Sequence, residues 1–169
     1  SFVHEHFPNL PIHVSTQANT TNAYAAKMWQ KLGAERVVLA RELELNEVKK
    51  IHDDNPNLEL EAFVHGAMCI SYSGRCLLSN YLTNRDSNKG ACVQACRWEY
   101  TIHEKSRDNE EYPIYEDSRG TYILNSKDLN MLAHIQELID AGVTSFKIEG
   151  RMKSVYYVAT VVNAYRRAL

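Results

Sequence analysis

RVVLARELELNEVKKIHDDNPNLELEAFVH, residues 36–65, is the stretch that decides the fold class. Arg36-Val37-Val38-Leu39-Ala40 is short, apolar and β-branched, which reads as a buried strand. Leu45, Val48 and Ile51 then recur at helical spacing until Asn55-Pro56-Asn57 breaks the period, and Leu60 to His65 supplies the next strand. Strand, helix and strand in so short a span imply a crossover connection, hence parallel strands and a right-handed turn.

The same alternation extends both ways. Upstream, Ile12-His13-Val14-Ser15-Thr16 reads as a strand, and from Asn22, an N-cap, Ala25, Met28, Trp29 and Leu32 share a helix face that stops at Gly33. Downstream, Thr121-Tyr122-Ile123-Leu124 and Ser145-Phe146-Lys147-Ile148 read as strands. Between them a helix starting near Asp128 carries Leu129, Leu132, Ile135, Gln136 and Ile139 and ends at Gly142. Ser154 caps a last helix with the stripe Val158, Val161, Val162 and Tyr165.

The order β-α-β-α-β, insertion, β-α-β-α predicts an α/β fold: a partial (β/α) TIM-like barrel with parallel strands and a long cysteine-bearing insertion. A whole barrel takes about 250 residues, so the five strands are expected to be its second half, with the others upstream. The absence of an initial Met fits a fragment, whose open sheet edges predict domain swapping or oligomer formation. The expected division is 1–66 as barrel βα units, 67–120 as the cysteine-rich insertion with an acidic flap, and 121–169 as closing βα units.

Among 169 residues, 44% are hydrophobic and 24% charged, as in an ordinary globular domain. A net charge of −2 gives no overall basic field, so a nucleic-acid contact would need a local patch. No apolar run approaches the roughly 18 residues that span a bilayer, and the first residues lack a signal-peptide pattern, so the expected location is cytoplasmic with no membrane contact.

All four cysteines, Cys69, Cys76, Cys92 and Cys96, fall in the long connection after the third strand, with the spacing C-x6-C-x15-C-x3-C inside 28 residues. Scattered single cysteines are usually small buried hydrophobes, but four together in a reducing compartment favour a metal. Structural zinc prefers two tight knuckles, and only Cys92 and Cys96 are spaced for one, which makes zinc the second choice. An iron-sulfur cluster accepts four thiolates at irregular spacing and is the first.

Three segments then match a family signature: Glu61-Ala62-Phe63-Val64-His65-Gly66-Ala67-Met68-Cys69, Ser73-Gly74-Arg75-Cys76-Leu77-Leu78-Ser79, and Asn84 through Cys92-Val93-Gln94-Ala95-Cys96-Arg97-Trp98. The chain resembles the collagenase-like peptidase family, historically filed among peptidases of unknown mechanism. Tyr122 to Leu129 and Lys147-Ile148-Glu149-Gly150-Arg151-Met152-Lys153 resemble, more narrowly, its transfer-RNA hydroxylation branch. The resemblance implies a barrel, a four-iron four-sulfur cluster on the four cysteines, and formation of 5-hydroxyuridine at the wobble position, with prephenate metabolism required and a prephenate-derived cosubstrate as one option. Sister branches are implicated in ribosomal RNA cytidine and ubiquinone hydroxylation.

Barrel enzymes carry their working side chains at the C-terminal strand ends. Those ends give His65, Lys147, Glu149 and Arg151 as catalytic candidates and Gln17, Asn19, Arg41, Glu42, Asn125 and Lys153 as substrate-binding ones. Each has a plainer role: Asn125 can cap the following helix, Glu149 and Arg151 can pair across the rim, and His65 can be a core histidine. Within the cysteine loop Arg75, Arg85, Lys89 and Arg97 face the single anion Asp86, with Tyr72, Tyr81 and Trp98 able to stack on unpaired bases. Arg85 and Arg97 are therefore candidates for holding a tRNA anticodon loop; the plainer role is solvation of the loop or balance of cluster charge. Glu104 to Asp117 carries six acidic residues and reads as a solvated flap.

Three functions compete. The first is an RNA-hydroxylating oxidoreductase, and the second is the historical peptidase, for which neither H-E-x-x-H nor G-x-S-x-G occurs. The third is a non-catalytic binding module stapled by zinc or a cluster.

Overall fold

Capping chemistry sets where the helices begin. The Asn22 side chain accepts the N–H of Ala25 at 2.9 Å and starts one helix. Glu47 returns its carboxylate to the N–H of Glu44 at 2.8 Å, closing a capping box on a second. Asn55 ends that second helix and donates to the carbonyls of Ile51 and Ala23, tying it to the start of the first.

The computed structural model describes residues 2–98, 100–103, 106, 111–113, 116–117, 120–121 and 128–169. In chain order its elements are α1 (Phe2–His6), β1 (Ile12–Val14), α2 (Ala23–Lys31), β2 (Ala34–Val38), α3 (Leu45–Asp54), β3 (Glu59–Gly66), α4 (Leu78–Thr83), β4 (Thr101–His103), β5 (Glu111–Pro113), β6 (Glu116–Asp117), β7 (Gly120–Thr121), β8 (Leu129–Asn130), α5 (Ile135–Asp140), β9 (Val143–Glu149) and α6 (Val155–Ala168). The chain divides into one unit of residues 1–67 and 128–169 and a second of residues 68–127.

In the first unit β1, β2, β3 and β9 run parallel, with Val14 opposite Val37, Val38 opposite Glu61, and Phe63 opposite Lys147. β8 adds antiparallel to the end of β3, Leu129 facing Gly66 and Asn130 facing His65. Period-two alternation on β3 sorts its side chains. Leu60, Ala62 and Val64 are buried with Val37, Leu39, Val48, Ile51, Ile135, Leu138, Val161 and Tyr165 in one apolar core, whereas Glu61, Phe63 and His65 are half-buried on the opposite side. Full burial of a residue such as Leu60 or Ile51 stabilises by about 1.5–3 kcal/mol.

Several expectations are corrected. The sheet is open among the described residues, with β1 paired only to β2 and β9 only to β3, so barrel closure is not seen. The last expected strand, β9, pairs directly and in parallel with β3. Gly120–Thr121 instead forms a two-residue antiparallel pair with Glu116–Asp117, and Tyr122, Ile123 and Leu124 lie outside the described residues. The helix expected from Asp128 starts at Ile135, after β8 and a 3-10 turn over Leu132–His134, because Leu129 and Asn130 are spent on pairing with β3. On α2 the buried positions are Ala23 and Ala26, while Met28 and Leu32 face solvent: small alanines let the helix sit close to its neighbours.

Two predictions follow from β3. Gly66 has φ +106°, and a Cβ there would collide with the backbone carbonyl of Glu149. Gly66→Ala should therefore lower unfolding free energy by about 2–3 kcal/mol in denaturant titration. The Glu61 carboxyl is pushed up by burial, but this is outweighed by Lys147, Ser145 and Arg36, which together hold it below its ordinary 4.5. Its stabilising contribution is present above that ordinary value and lost as pH falls through the lower folded value. Glu61→Gln should thus lower the denaturation midpoint at neutral pH, with the deficit shrinking as the solution is acidified below the carboxyl's ordinary 4.5; a deficit unchanged on acidification would refute the assignment.

Candidate active site at the strand ends and a cysteine-bearing unit

The open side of the first unit's sheet carries two polar groupings. In the first, Glu61 accepts Lys147 Nζ at 3.0 Å and the Ser145 hydroxyl at 3.0 Å, while Arg36 binds Glu59 at 2.6 Å and reaches Glu61 at 3.4 Å. The Phe63 ring lies between two cations, Arg41 Cζ 4.3 Å and Lys147 Nζ 5.4 Å from its centroid. Arg41 and Phe63 also line an apolar cavity of about 100 Å³ with Leu39, Leu43 and Met131.

The second grouping sits at the end of β3. The His65 ring packs edge-on to Tyr165 with centroids 5.7 Å apart and lies 5.9 Å from the Tyr157 ring. Lys153 pairs with Asp128 at 2.7 Å and lies 5.0 Å from the Tyr157 ring, and Tyr157 donates to Asp128 at 3.4 Å. Burial, helped by the Lys153 charge and opposed by Asp128, lowers the His65 pKa below its ordinary 6.5 and favours a neutral imidazole.

The sequence candidates thus separate. Lys147 belongs with Glu61, and Lys153 belongs with Asp128 beside His65. Glu149 accepts the backbone N–H of the exposed Arg151 at 3.0 Å. Gln17 accepts from the Ser15 hydroxyl at 2.6 Å. Asn19 is held at φ 51° behind a 3-10 turn, and Glu42 is exposed. Asn125 lies outside the described residues. Sequence reading missed Tyr165 as a polar residue, because its ring fits the apolar stripe of α6. It also missed Glu61, although a carboxylate amid an apolar strand signals an ionic partner.

The second unit has a different interior. Among its described residues, those buried are Ser73, Cys76, Ser79, Ser87 and Ala95, so serines stand where an apolar core would. Ser79 Oγ donates to the Arg85 carbonyl at 2.7 Å and accepts the Val93 N–H at 3.3 Å, joining two turns of the loop. Asn88 Nδ2 donates to the Cys76 carbonyl at 3.0 Å, and the Ser87 hydroxyl reaches the same carbonyl at 3.1 Å.

The four thiols share this unit. Burial pushes the Cys76 thiol up, but the Ser87 hydroxyl, the N–H groups of Leu78 and Ser79, and the Ser71 hydroxyl outweigh it and hold Cys76 below the ordinary thiol value. The single Ser87 proton serves the carbonyl or, once the thiol ionises, the sulfur. The Cys92 sulfur accepts the Gln94 N–H at 3.2 Å. Burial raises Cys96, and the charges of Cys69, Cys92 and Cys76 raise it further against the pull of Arg97, so all three sulfurs lie within electrostatic reach of Cys96.

Among the described residues no three His, Cys, Asp or Glu side chains converge on a single-ion site. A tetrahedral zinc would draw its sulfurs to roughly 3.8 Å from one another, given Zn–S bonds near 2.3 Å. A cluster holds its thiolates farther apart. Four thiol donors in one unit, two of them receiving hydrogen bonds, have the chemistry to hold a metal group. On the surface of the same unit Tyr72, Tyr81 and Trp98 are exposed, as are Arg75, Arg85 and Lys89, while Arg97 is half-buried. No helix among the described residues is long and apolar enough to cross a membrane.

Comparison with known proteins bears on both units. The sequence model of peptidase family U32 matches residues 1–169. The tRNA hydroxylation protein P of Escherichia coli is 43% identical over 206 residues, covering 99% of this chain and 46% of that protein. Its namesake from Helicobacter pylori is 46% identical over 165 residues, covering 96% and 39%. A 23S rRNA 5-hydroxycytidine synthase of Escherichia coli is 40% identical over 162 residues, covering 96% and 24%. This chain spans less than half the length of each of these relatives. No solved structure matches it. Matched along its whole length, the chain belongs to peptidase family U32.

Proposed function

We propose that the chain is the cluster-bearing part of an RNA-hydroxylating oxidoreductase that converts the wobble uridine of tRNA to 5-hydroxyuridine. Cys69, Cys76, Cys92 and Cys96 hold a four-iron four-sulfur cluster, which supplies redox chemistry that amino-acid side chains lack. The observation that carries this reading is the set of four thiols within one unit, three of them within charge reach of the fourth, with hydrogen-bond donors trained on two of the sulfurs. Four crowded thiolates repel one another and need a cationic centre to be stable together. Relatives named for tRNA hydroxylation and for 5-hydroxycytidine synthesis supply the substrate class.

The chain's own residues have separable tasks in this reading. The exposed Tyr72, Tyr81 and Trp98 stack on unpaired bases of the anticodon loop, and Arg75, Arg85 and Lys89 meet its phosphates. His65 moves a proton beside the Asp128–Lys153 pair, and Lys147 is oriented by Glu61. In the full-length protein, further strands close the open edges of β1 and β9 into a barrel.

Full-length protein purified without oxygen should contain about four iron and four acid-labile sulfide per chain. Zinc without iron would overturn the cluster and favour the stapled binding module. In RNA from a strain lacking the gene, nucleoside mass spectrometry should show 5-hydroxyuridine derivatives lost, restored by wild-type protein and not by Cys96→Ala. Their persistence in the deletion strain would refute the assignment to tRNA uridine.

A further inference from the structure

The hydrogen bonds around the Tyr165 hydroxyl fix the protonation of its neighbour. That oxygen lies 2.7 Å from the Val64 carbonyl, 3.2 Å from the Met131 backbone N and 3.4 Å from His65 Nδ1. A phenol has one hydrogen to give and lone pairs to receive others. A carbonyl only accepts, and two oxygens at 2.7 Å with no hydrogen between them repel, so the phenol hydrogen points to Val64. The Met131 N–H, shared with the Val64 carbonyl at 3.0 Å, can only donate. What the hydroxyl offers His65 is a lone pair, and the hydrogen in that contact must sit on Nδ1.

We infer that Tyr165 holds the neutral His65 ring as its Nδ1–H tautomer, so that Nε2 carries the lone pair and is the atom at which His65 takes up or hands on a proton. The inference deepens the proposed function and rests on its placement of His65 in the reaction. Tyr165 is a positioning residue: it acts through the imidazole.

Three features hold the arrangement. Tyr165 is 4% exposed, and its hydroxyl is pinned by two backbone groups, so it cannot swing away. Burial raises its pKa, which keeps the phenol protonated. The Tyr157 ring and the edge-on Tyr165 ring, at 79° to the imidazole, fix the plane in which Nε2 is presented. The charged groups facing the ring, Asp128 and Lys153, are paired with each other and act on it in opposite directions. The ring nitrogen left without the proton is set by what the other nitrogen binds. A histidine side chain in water favours the opposite, Nε2–H tautomer, so the phenol selects the form that water does not.

The test is long-range proton–nitrogen correlation on the full-length protein carrying 15N-histidine, at about pH 8 where the ring is neutral. The His65 signals are identified by their loss in His65→Gln. They should report a protonated Nδ1 and a bare Nε2. In Tyr165→Phe the ring should shift toward the Nε2–H form, and hydroxylated nucleoside formed per unit time should fall about tenfold. An Nε2–H tautomer in the wild type overturns the inference, whether or not the variant folds. A tautomer unmoved by Tyr165→Phe, or moved with no change in product, removes the positioning role. Because the tautomer is read without turnover, a protein that hydroxylates no RNA would sink the proposed function and leave this result standing.

Discussion

β3 is paired along both edges, with β2 and then β8 on one side and β9 on the other, and this constraint sets everything else in the first unit. A strand held on both sides cannot slip by one residue without exchanging its two faces. Leu60, Ala62 and Val64 are thereby committed to the core, and Glu61, Phe63 and His65 to the open side. The polar groupings inherit their order from this strand. Glu61, the third of the eight residues of β3, gathers cations from β2 and β9, while His65, near the C-terminal end, meets Tyr165 from α6 and lies beside the Asp128–Lys153 pair. An ionic lock in mid-strand and an adjustable histidine at the strand end are a sensible division, because chemistry needs access and the lock needs shelter.

The second unit obeys another rule. Its described interior is built of three serines, one cysteine and one alanine, groups that bury little apolar surface. An interior of this kind gains little from the hydrophobic effect, and small units built so ordinarily lean on a metal or on disulfides. No disulfide joins the four cysteines. In the proposed reading a bound cation would reconcile the hydrogen bonds that favour a thiolate at Cys76 with the burial and neighbouring thiols that disfavour one at Cys96.

Much of this was legible in the sequence, for reasons tied to particular residues. Asn22, Gly33, Leu45, Val48 and Ile51 marked α2 and α3 correctly because caps and periodicity are local. The cysteine spacing was visible because four thiols in one loop are rare. What was not legible depended on long-range pairing. Leu129 fits a helix by period, yet it faces Gly66 across a sheet 63 positions away in sequence, and nothing local announces that bond. Tyr165 was read for its ring because a stripe pattern carries no word about what a hydroxyl will reach.

The electrostatics of the thiols also weigh against a cysteine peptidase, the activity for which the family was first named. A nucleophilic cysteine must be ionised at neutral pH and able to touch a peptide bond. Cys76 meets the first condition in direction, but it is buried under Ser87 and the start of α4 and cannot be approached. Cys96 is half-buried, and its thiol is pushed up by burial and by three neighbouring sulfurs, the reverse of activation. A ligand needs neither access to a substrate nor ionisation in the absence of its metal; it needs sulfurs near one another and a partner positive enough to take their protons' place. In the proposed reading, the arrangement that makes Cys76 and Cys96 poor nucleophiles is the one that would suit them as ligands.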